Sequence, residues 1–133
     1  MKKSLKIFLI IFLICAIIFG VNIAGFIYKT DYKKTEIKSN SHDKYSLTVY
    51  EIGEPDFPFG SAHCRFVLRR DKEKISSTDF EVCNDGGAAL ESNFDISWNS
   101  DGAEIIVNAE EQEDCIYYIY FNGKTKISQS HSQ

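Results

Sequence analysis

The stretch "NFDISWNSDGAEIIVNAE", residues 93–110, decides the fold because it contains two strand-like segments joined by a tight turn. In the first segment Phe94, Ile96 and Trp98 alternate with polar residues, so they lie on one face of a predicted β-strand. "NSDG" is a hairpin signal, and "AEIIVNAE" pairs naturally back onto the first segment. The stretch therefore predicts an antiparallel hairpin with one apolar face.

Similar segments extend from this hairpin in both directions, and the chain contains no convincing amphipathic helix. The other predicted strands are 45–52, 64–70, 75–83, the apolar run "CIYYIYF" at 115–121, and a possible edge strand "KTKIS" at 124–128. Their short connections favour antiparallel neighbours. The sequence thus predicts a mainly β fold, a small antiparallel β-sandwich or open barrel of six to seven strands.

A different pattern occupies the N-terminal part of the chain. "IFLIIFLICAIIFGVNIAGFIY", residues 7–28, has no charged side chain, and Asn22 is its only strongly polar residue. As a helix at ~1.5 Å per residue it would reach roughly 33 Å, enough to cross a hydrocarbon core of ~30 Å. We therefore predict an N-terminal membrane anchor at 1–28, with its transmembrane helix at 7–28.

Three fates of this segment are open: an uncleaved anchor, a cleaved signal, and a lipidated Cys15. The apolar run is long for a signal peptide, and the nearest cleavage pattern places Asn22 and Ala24 at its key positions. A lipoprotein signal needs a small residue before its cysteine, whereas Ile14 precedes Cys15. The uncleaved anchor is favoured.

Lysines flank the span on both sides, so the positive-inside rule alone does not orient it. They are Lys2, Lys3 and Lys6 before the span, and Lys29, Lys33, Lys34 and Lys38 after it. The short charged start and the three cysteines of the following domain favour an extracytoplasmic domain. The expected location is the cell membrane, crossed once.

The charge of the chain is divided unevenly. The whole chain carries a net charge of −4, but residues 1–38 hold seven basic and two acidic residues, and the remainder holds eight basic and 17 acidic. An acidic domain argues against nucleic acid as a partner, because phosphate binding needs a basic face. The lipid bilayer is the expected partner of the N-terminal helix, whose neighbouring lysines would attract anionic headgroups.

The composition also predicts the boundaries of the segments. Residues 29–43 are polar without an apolar period, which indicates a juxtamembrane stalk that ends in a flexible linker. An acidic all-β domain is predicted at 44–128 and a disordered tail at 129–133.

Cys64, Cys83 and Cys115 all lie in predicted strands. Cys64 and Cys83 are on consecutive strands and form a candidate disulfide, provided that the register brings their Cβ atoms to about 4 Å. Another pairing and three free thiols remain open alternatives. The cysteine spacings do not indicate a metal site.

Both prolines of the chain lie in "EIGEPDFPFGSAHC", residues 51–64, between two predicted strands. This segment is the candidate binding loop, and its proposed contact residues are Glu54, Asp56, Phe57, Phe59 and His63. Its two phenylalanines have two possible roles. They either project as a rigid finger toward a partner or fold down as a lid over one end of the sheet, and the lid is favoured because aromatic rings bury a large area.

Other chemistry is weakly indicated. The acidic run at 110–114 could supply carboxylates to Ca²⁺, but it lacks the spacing of a calcium loop, and a solvated turn is favoured. Ser61 and His63 would need an acid from elsewhere to form a triad. Phosphate loops and hydrolase motifs are absent from the sequence. We expect no catalytic residue, no metal and no cofactor.

The layout of the chain supports one resemblance. A lysine-rich start, one span, a polar stalk, and a β domain that opens with Ser41, Lys44 and the strand of residues 45–50 resemble small single-pass, membrane-anchored, extracytoplasmic β-domain proteins of unknown function from Gram-positive bacteria. The resemblance implies an extracytoplasmic β domain and brings no functional residues with it.

The leading hypothesis is a non-enzymatic, membrane-anchored extracytoplasmic binding or accessory protein of the bacterial cell envelope, with an unidentified protein partner. It predicts that Phe57 and Phe59 are exposed. The alternatives are an immunity-type protein, a purely structural domain of a membrane complex, and an envelope enzyme acting on glycans through surface carboxylates near Trp98. The enzyme would need a cleft with two carboxyl groups about 5–9 Å apart.

Overall fold

The computed structural model describes residues 2–129 and begins with a long helix. Helix α1 spans Lys3–Ile27 and continues into a π-helical turn at Tyr28–Tyr32. No residue of α1 is buried against the rest of the chain. Within the described residues, this is the one helix that is long and apolar enough to cross a membrane. The predicted N-terminal apolar helix is therefore confirmed.

Residues 34–129 form eight strands. They are β1 (Lys34–His42), β2 (Tyr45–Ile52), β3 (Ala62–Arg70), β4 (Glu73–Val82), β5 (Phe94–Trp98), β6 (Gly102–Ala109), β7 (Gln112–Tyr120) and β8 (Thr125–Gln129). A short 3₁₀ turn at Glu91–Asn93 precedes β5. The strands form two open antiparallel sheets, in the order β1-β2-β3-β4 and β5-β6-β7-β8.

The buried face of each sheet follows from the two-residue period of its strands. In the first sheet, Leu47, Cys64 and Phe80 alternate with polar residues and are buried, and Phe66 is buried on the same face. Buried side chains of the second sheet, such as Phe94, belong to the same apolar cluster. The two sheets therefore share one core, as expected when each has a single apolar face.

Four aromatic rings form the centre of this core. Phe66 and Phe80 stack with their centroids 3.9 Å apart in the first sheet. Phe94 meets Phe66 edge-on at 6.3 Å, and Tyr117 meets it at 5.2 Å. Edge-to-face pairs of this kind add a specific attraction to the large apolar area that each ring buries.

Hydrogen bonds join the two sheets along both pairs of edge strands. On one side Lys38 Nζ of β1 donates to the carbonyl oxygen of Phe94 in β5 at 2.6 Å. On the other side the hydroxyl oxygens of Thr78 in β4 and Thr125 in β8 lie 3.1 Å apart. These contacts fix the sheets relative to each other at their margins.

The prediction of a mainly β, antiparallel domain is confirmed, but the strand number of six to seven is wrong, since residues 2–129 contain eight. The additional strand is β1, which lies inside the predicted polar stalk at 29–43. Most of its side chains are exposed, so the hydrogen bonds to β2 rather than an apolar period define it. The interpretation of this stretch as a flexible linker is therefore corrected.

The predicted tail at 129–133 lies outside the described residues, except for Gln129, which ends β8. The turns of the domain occupy two opposite ends. We call the end formed by residues 28–33, 53–61, 83–93 and 110–111 the helix-proximal end, since α1 joins the domain there. The turns at 43–44, 71–72, 99–101 and 121–124 form the distal end.

Candidate functional site

The candidate binding loop connects β2 to β3 at the helix-proximal end, and its first residues are hydrogen-bonded to the segment that follows α1. The N–H of Gly53 donates to the carbonyl oxygen of Lys33 at 2.7 Å, and the N–H of Glu54 donates to that of Thr30 at 2.7 Å. Gly53 has a φ of +72°, and a Cβ atom there would collide with the Thr30 carbonyl. Only glycine fits both the conformation and the space.

Side chains reinforce the base of the loop. Lys29 Nζ lies 3.2 Å from Glu54 Oε1, which links the end of the helix to the loop through an ion pair. Asp56 Oδ2 lies 3.0 Å from His63 Nε2, at the start of β3. The N–H of Gly60 donates to the Asp56 carbonyl at 2.7 Å and closes a tight turn around the tip. The loop is thus held at its entry and at its exit.

The two phenylalanines of the tip point away from the domain. Phe57 is 97% exposed and Phe59 is 72% exposed. Residues 84–88 pass close to the back of the tip, since a Cβ atom on Gly86 would collide with the Pro58 carbonyl. The favoured prediction of a lid is therefore wrong. The rings project from a loop whose backbone is supported, which is the geometry of the alternative, the rigid finger.

A cavity of about 610 Å³ separates the loop from the end of the helix. Phe26 and Thr30 line it from the helix side, and Pro55, Phe57 and His63 line it from the domain side. Phe57 therefore lies at the level of the last helical turns, although it is distant from them in sequence.

A smaller cavity of about 300 Å³ lies on the other side of His63, above the outer face of β3 and β4. Here His63 Nδ1 is 3.5 Å from Glu81 Oε1, so the imidazole lies between two carboxylates, those of Asp56 and Glu81. The next pair along the strands is Arg65 and Asp79, where Nη2 donates to Oδ2 at 2.9 Å. The hydrogen bond from Arg65 lowers the pKa of Asp79 below its usual value.

Ser61 Oγ lies 3.2 Å from Cys83 Sγ, so the serine hydroxyl is engaged with the thiol. Among residues 2–129, no cluster of three histidine, cysteine or carboxylate side chains has the arrangement of a metal site. The arrangement offers two exposed rings beside charged and hydrogen-bonding groups.

The candidate disulfide between Cys64 and Cys83 is wrong, and all four cysteines are free in the described part of the chain. The register pairs Cys64 with Phe80, so Cys83 lies three residues further along, about 10 Å at ~3.3 Å per residue. Cys64 also faces the core, whereas Cys83 follows the core-facing Val82 and so takes the opposite side. A bridge needs Cβ atoms about 4 Å apart.

Burial affects the chemistry of Cys64. Burial, together with the negative charge of the neighbouring Glu51 carboxylate, raises the pKa of this thiol from 9.0 to about 12. Glu51 is itself buried on the core face of β2, and its Oε2 accepts a 2.6 Å hydrogen bond from the N–H of Ala89. This contact ties the connection between the two sheets to β2, so Glu51 has a structural role.

The sequence analysis identified Glu54, Asp56, Phe57, Phe59 and His63, and the structure brings all of them to one loop and its exit. It missed the residues that hold the loop in place, namely Lys29, Thr30 and Lys33. The glycine before Glu54 was the available signal, since it marks a close approach of another segment. Comparison of the chain with protein-family models, curated proteins and solved structures finds no match.

Proposed function

We propose that the protein is a non-enzymatic, membrane-anchored extracytoplasmic binding or accessory protein of the bacterial cell envelope, and that the β2–β3 loop is its binding site. The observation that supports this most is the exposure of Phe57 and Phe59 on a loop with a fixed base. Exposed aromatic rings in a preorganised backbone are typical of binding surfaces, because little conformational entropy is lost when they dock.

The membrane part of the proposal depends on α1. From Ile7 to Ile27 the helix has no charged side chain, and none of its residues is buried. A surface of this kind is stable in lipid rather than in water. The short basic start at Lys2, Lys3 and Lys6 favours an orientation with the β domain outside the cell. The resemblance to single-pass proteins of Gram-positive bacteria agrees with this orientation.

We also infer that the two sheets form a small two-layer sandwich around the shared core. The aromatic contacts between Phe66, Phe94 and Tyr117 and the hydrogen bonds along both margins support this arrangement. It leaves the helix-proximal and distal ends open to partners.

The glycan enzyme has less support than the binding protein. Its key residue would be Trp98, whose indole N–H donates to Asn40 Oδ1 at 2.9 Å and whose ring stacks with His42 and Phe121. The cavity of about 420 Å³ at this end has a single carboxylate in its lining, Asp101. Most enzymes that hydrolyse glycosidic bonds use a pair of carboxylates.

Site-specific photocrosslinking in intact cells tests the binding site. A photoreactive phenylalanine analogue is placed at Phe57 of the full chain, and a matched chain carries it at Ile127, an exposed apolar position of β8. We expect an adduct from position 57, to a protein or to a phospholipid, that is absent from position 127. Equal adducts from both positions, or none from position 57, would contradict the assignment.

Fractionation of the same cells tests the anchor. We expect the chain to stay with membranes after alkaline washing, and a protease added to intact cells to cleave the domain. Release by the wash would exclude an integral anchor, and resistance to the protease that disappears after lysis would place the domain inside.

A further inference from the structure

We propose that the tip of the β2–β3 loop, Phe57 and Phe59, inserts into the same bilayer that α1 crosses, so that the domain lies against the membrane with its helix-proximal end. This inference depends on the proposed membrane anchor and names the partner of the proposed binding loop as phospholipid.

The first argument is the height of the loop along the helix. Phe57 and Pro55 line one cavity together with Phe26 and Thr30, which flank the end of the apolar run. These two helical positions differ by about 6 Å along the axis at ~1.5 Å per residue. The lipid that surrounds the last turn of α1 therefore also reaches the loop.

The second argument is the rigidity of the connection. The N–H groups of Gly53 and Glu54 bind the carbonyls of Lys33 and Thr30, so the loop cannot move far from the end of the helix. The π-helical turn passes through Lys33 into β1, whose first residue Lys34 pairs with Ile52. With a fixed base, the tip stays at the level of the bilayer surface once α1 is inserted.

The third argument is the type of residue in the turn that follows α1, close to the tip. Tyr28 and Tyr32 are 61% and 65% exposed in the turn that follows α1. Tyrosines at the end of a span are typical of the headgroup level, where phenylalanine also lies with its ring in the acyl boundary. The same turn contains Lys29 and Asp31, and Lys33, which follows it, suits the phosphate groups of lipids.

The carboxylates of the loop do not oppose this contact. Glu54 Oε1 lies 3.2 Å from Lys29 Nζ and forms an ion pair with it. Asp56 Oδ2 lies 3.0 Å from His63 Nε2. Each of these two carboxylates therefore has a neighbouring side chain of the protein as its partner. The two residues at the tip without such partners are the phenylalanines, which need an apolar environment.

The experiment uses the full chain in vesicles of phosphatidylcholine and phosphatidylglycerol that contain lipids brominated near the headgroup. Trp98, at the distal end of the domain, is the single tryptophan of the native chain and therefore gives its whole indole fluorescence. A Phe57→Trp variant adds a second indole at the tip, and an Ile127→Trp variant adds one at a matched exposed position of β8. Flotation of the vesicles is measured for every chain.

We expect all chains to float, and bromolipid to quench the added signal of Phe57→Trp at least twofold, with little change for the native chain or Ile127→Trp. Equal quenching of both added indoles would overturn the proposal, because it indicates general adsorption. An unquenched Phe57→Trp signal in a floating chain overturns the lipid contact alone and leaves a protein as the partner of the loop. A chain that does not float overturns the anchor and the lipid contact together.

Discussion

The N–H of Glu54 donates a 2.7 Å hydrogen bond to the carbonyl oxygen of Thr30, which joins the β2–β3 loop to the turn that ends the apolar helix. Because Thr30 belongs to the π-helical turn and Glu54 to the loop, the domain is not suspended on a mobile stalk. The orientation of the helix and the position of the loop are therefore coupled, and a change in one is expected to alter the other.

The first prediction concerns this junction. Gly53→Ala should destabilise the domain by about 2 kcal/mol more than Gly123→Ala, since both replace a glycine of positive φ but only the first collides with the Thr30 carbonyl. The additional cost comes from weakening hydrogen bonds worth about 1 kcal/mol each. Urea unfolding of the full chain in mild detergent, followed by Trp98 fluorescence, measures the difference. Equal losses would show that the junction contributes little.

The second prediction contrasts two phenylalanines. Phe66→Ala should lower the free energy of unfolding by about 3–5 kcal/mol, because it removes a fully buried ring that contacts three other aromatic residues. Phe57→Ala, at a nearly fully exposed site, should change it by less than about 0.5 kcal/mol in detergent. A large loss for Phe57→Ala would mean that the ring packs within the domain.

Much of the fold could be predicted from the two-residue period of single strands. The strands of residues 45–52 and 93–98 have the predicted core faces, with Leu47, Val49 and Phe94 buried. The same two-residue period also predicts that Cys64 and Cys83 cannot form a disulfide. Cys64 shares a face with Phe66, whereas Cys83 alternates with Val82, and two residues on opposite faces of a sheet cannot be bridged.

Strand β1 and the conformation of the loop could not be predicted in the same way. β1 is an edge strand whose backbone pairs with β2 while several of its side chains, including Lys34 and Glu36, face solvent, so it leaves little apolar signal. The exposure of Phe57 depends on the helix end and on residues 84–88, which are remote in sequence. An apolar ring in isolation is expected to be buried, and only tertiary contacts decide otherwise.

The third prediction follows from the ion pair of Arg65 and Asp79. The pKa of Asp79 is lowered from 3.8 in the folded state, so the pair stabilises the protein above about pH 4 and loses this effect as the pH falls through the lowered value. Both side chains are largely or partly exposed, and screening by solvent limits the effect to about 0.5 kcal/mol.

Asp79→Asn should therefore be less stable than the native chain at pH 7 and equally stable at pH 2, as measured by urea unfolding at both values. Asp101→Asn, at an exposed turn position, provides the control and should differ little at either pH. A difference for Asp79→Asn that persists unchanged at pH 2 would exclude the ion pair as its cause.

The last prediction uses the buried thiol of Cys64, whose pKa is raised from 9.0 to about 12. Between about pH 9 and pH 12 the folded state keeps the thiol proton, while the unfolded chain loses it from about pH 9. The unfolded state is therefore favoured as the pH rises, by up to about 1.4 kcal/mol per unit. Cys64→Ala lacks this linkage, so the difference between its free energy of unfolding and that of the native chain should shrink between pH 8 and pH 11.

Phe80→Leu is the control, because it perturbs the same core without removing a thiol. Its difference in free energy of unfolding from the native chain should stay constant over this pH range. Parallel pH profiles for the native chain and Cys64→Ala would show that the thiol is not desolvated.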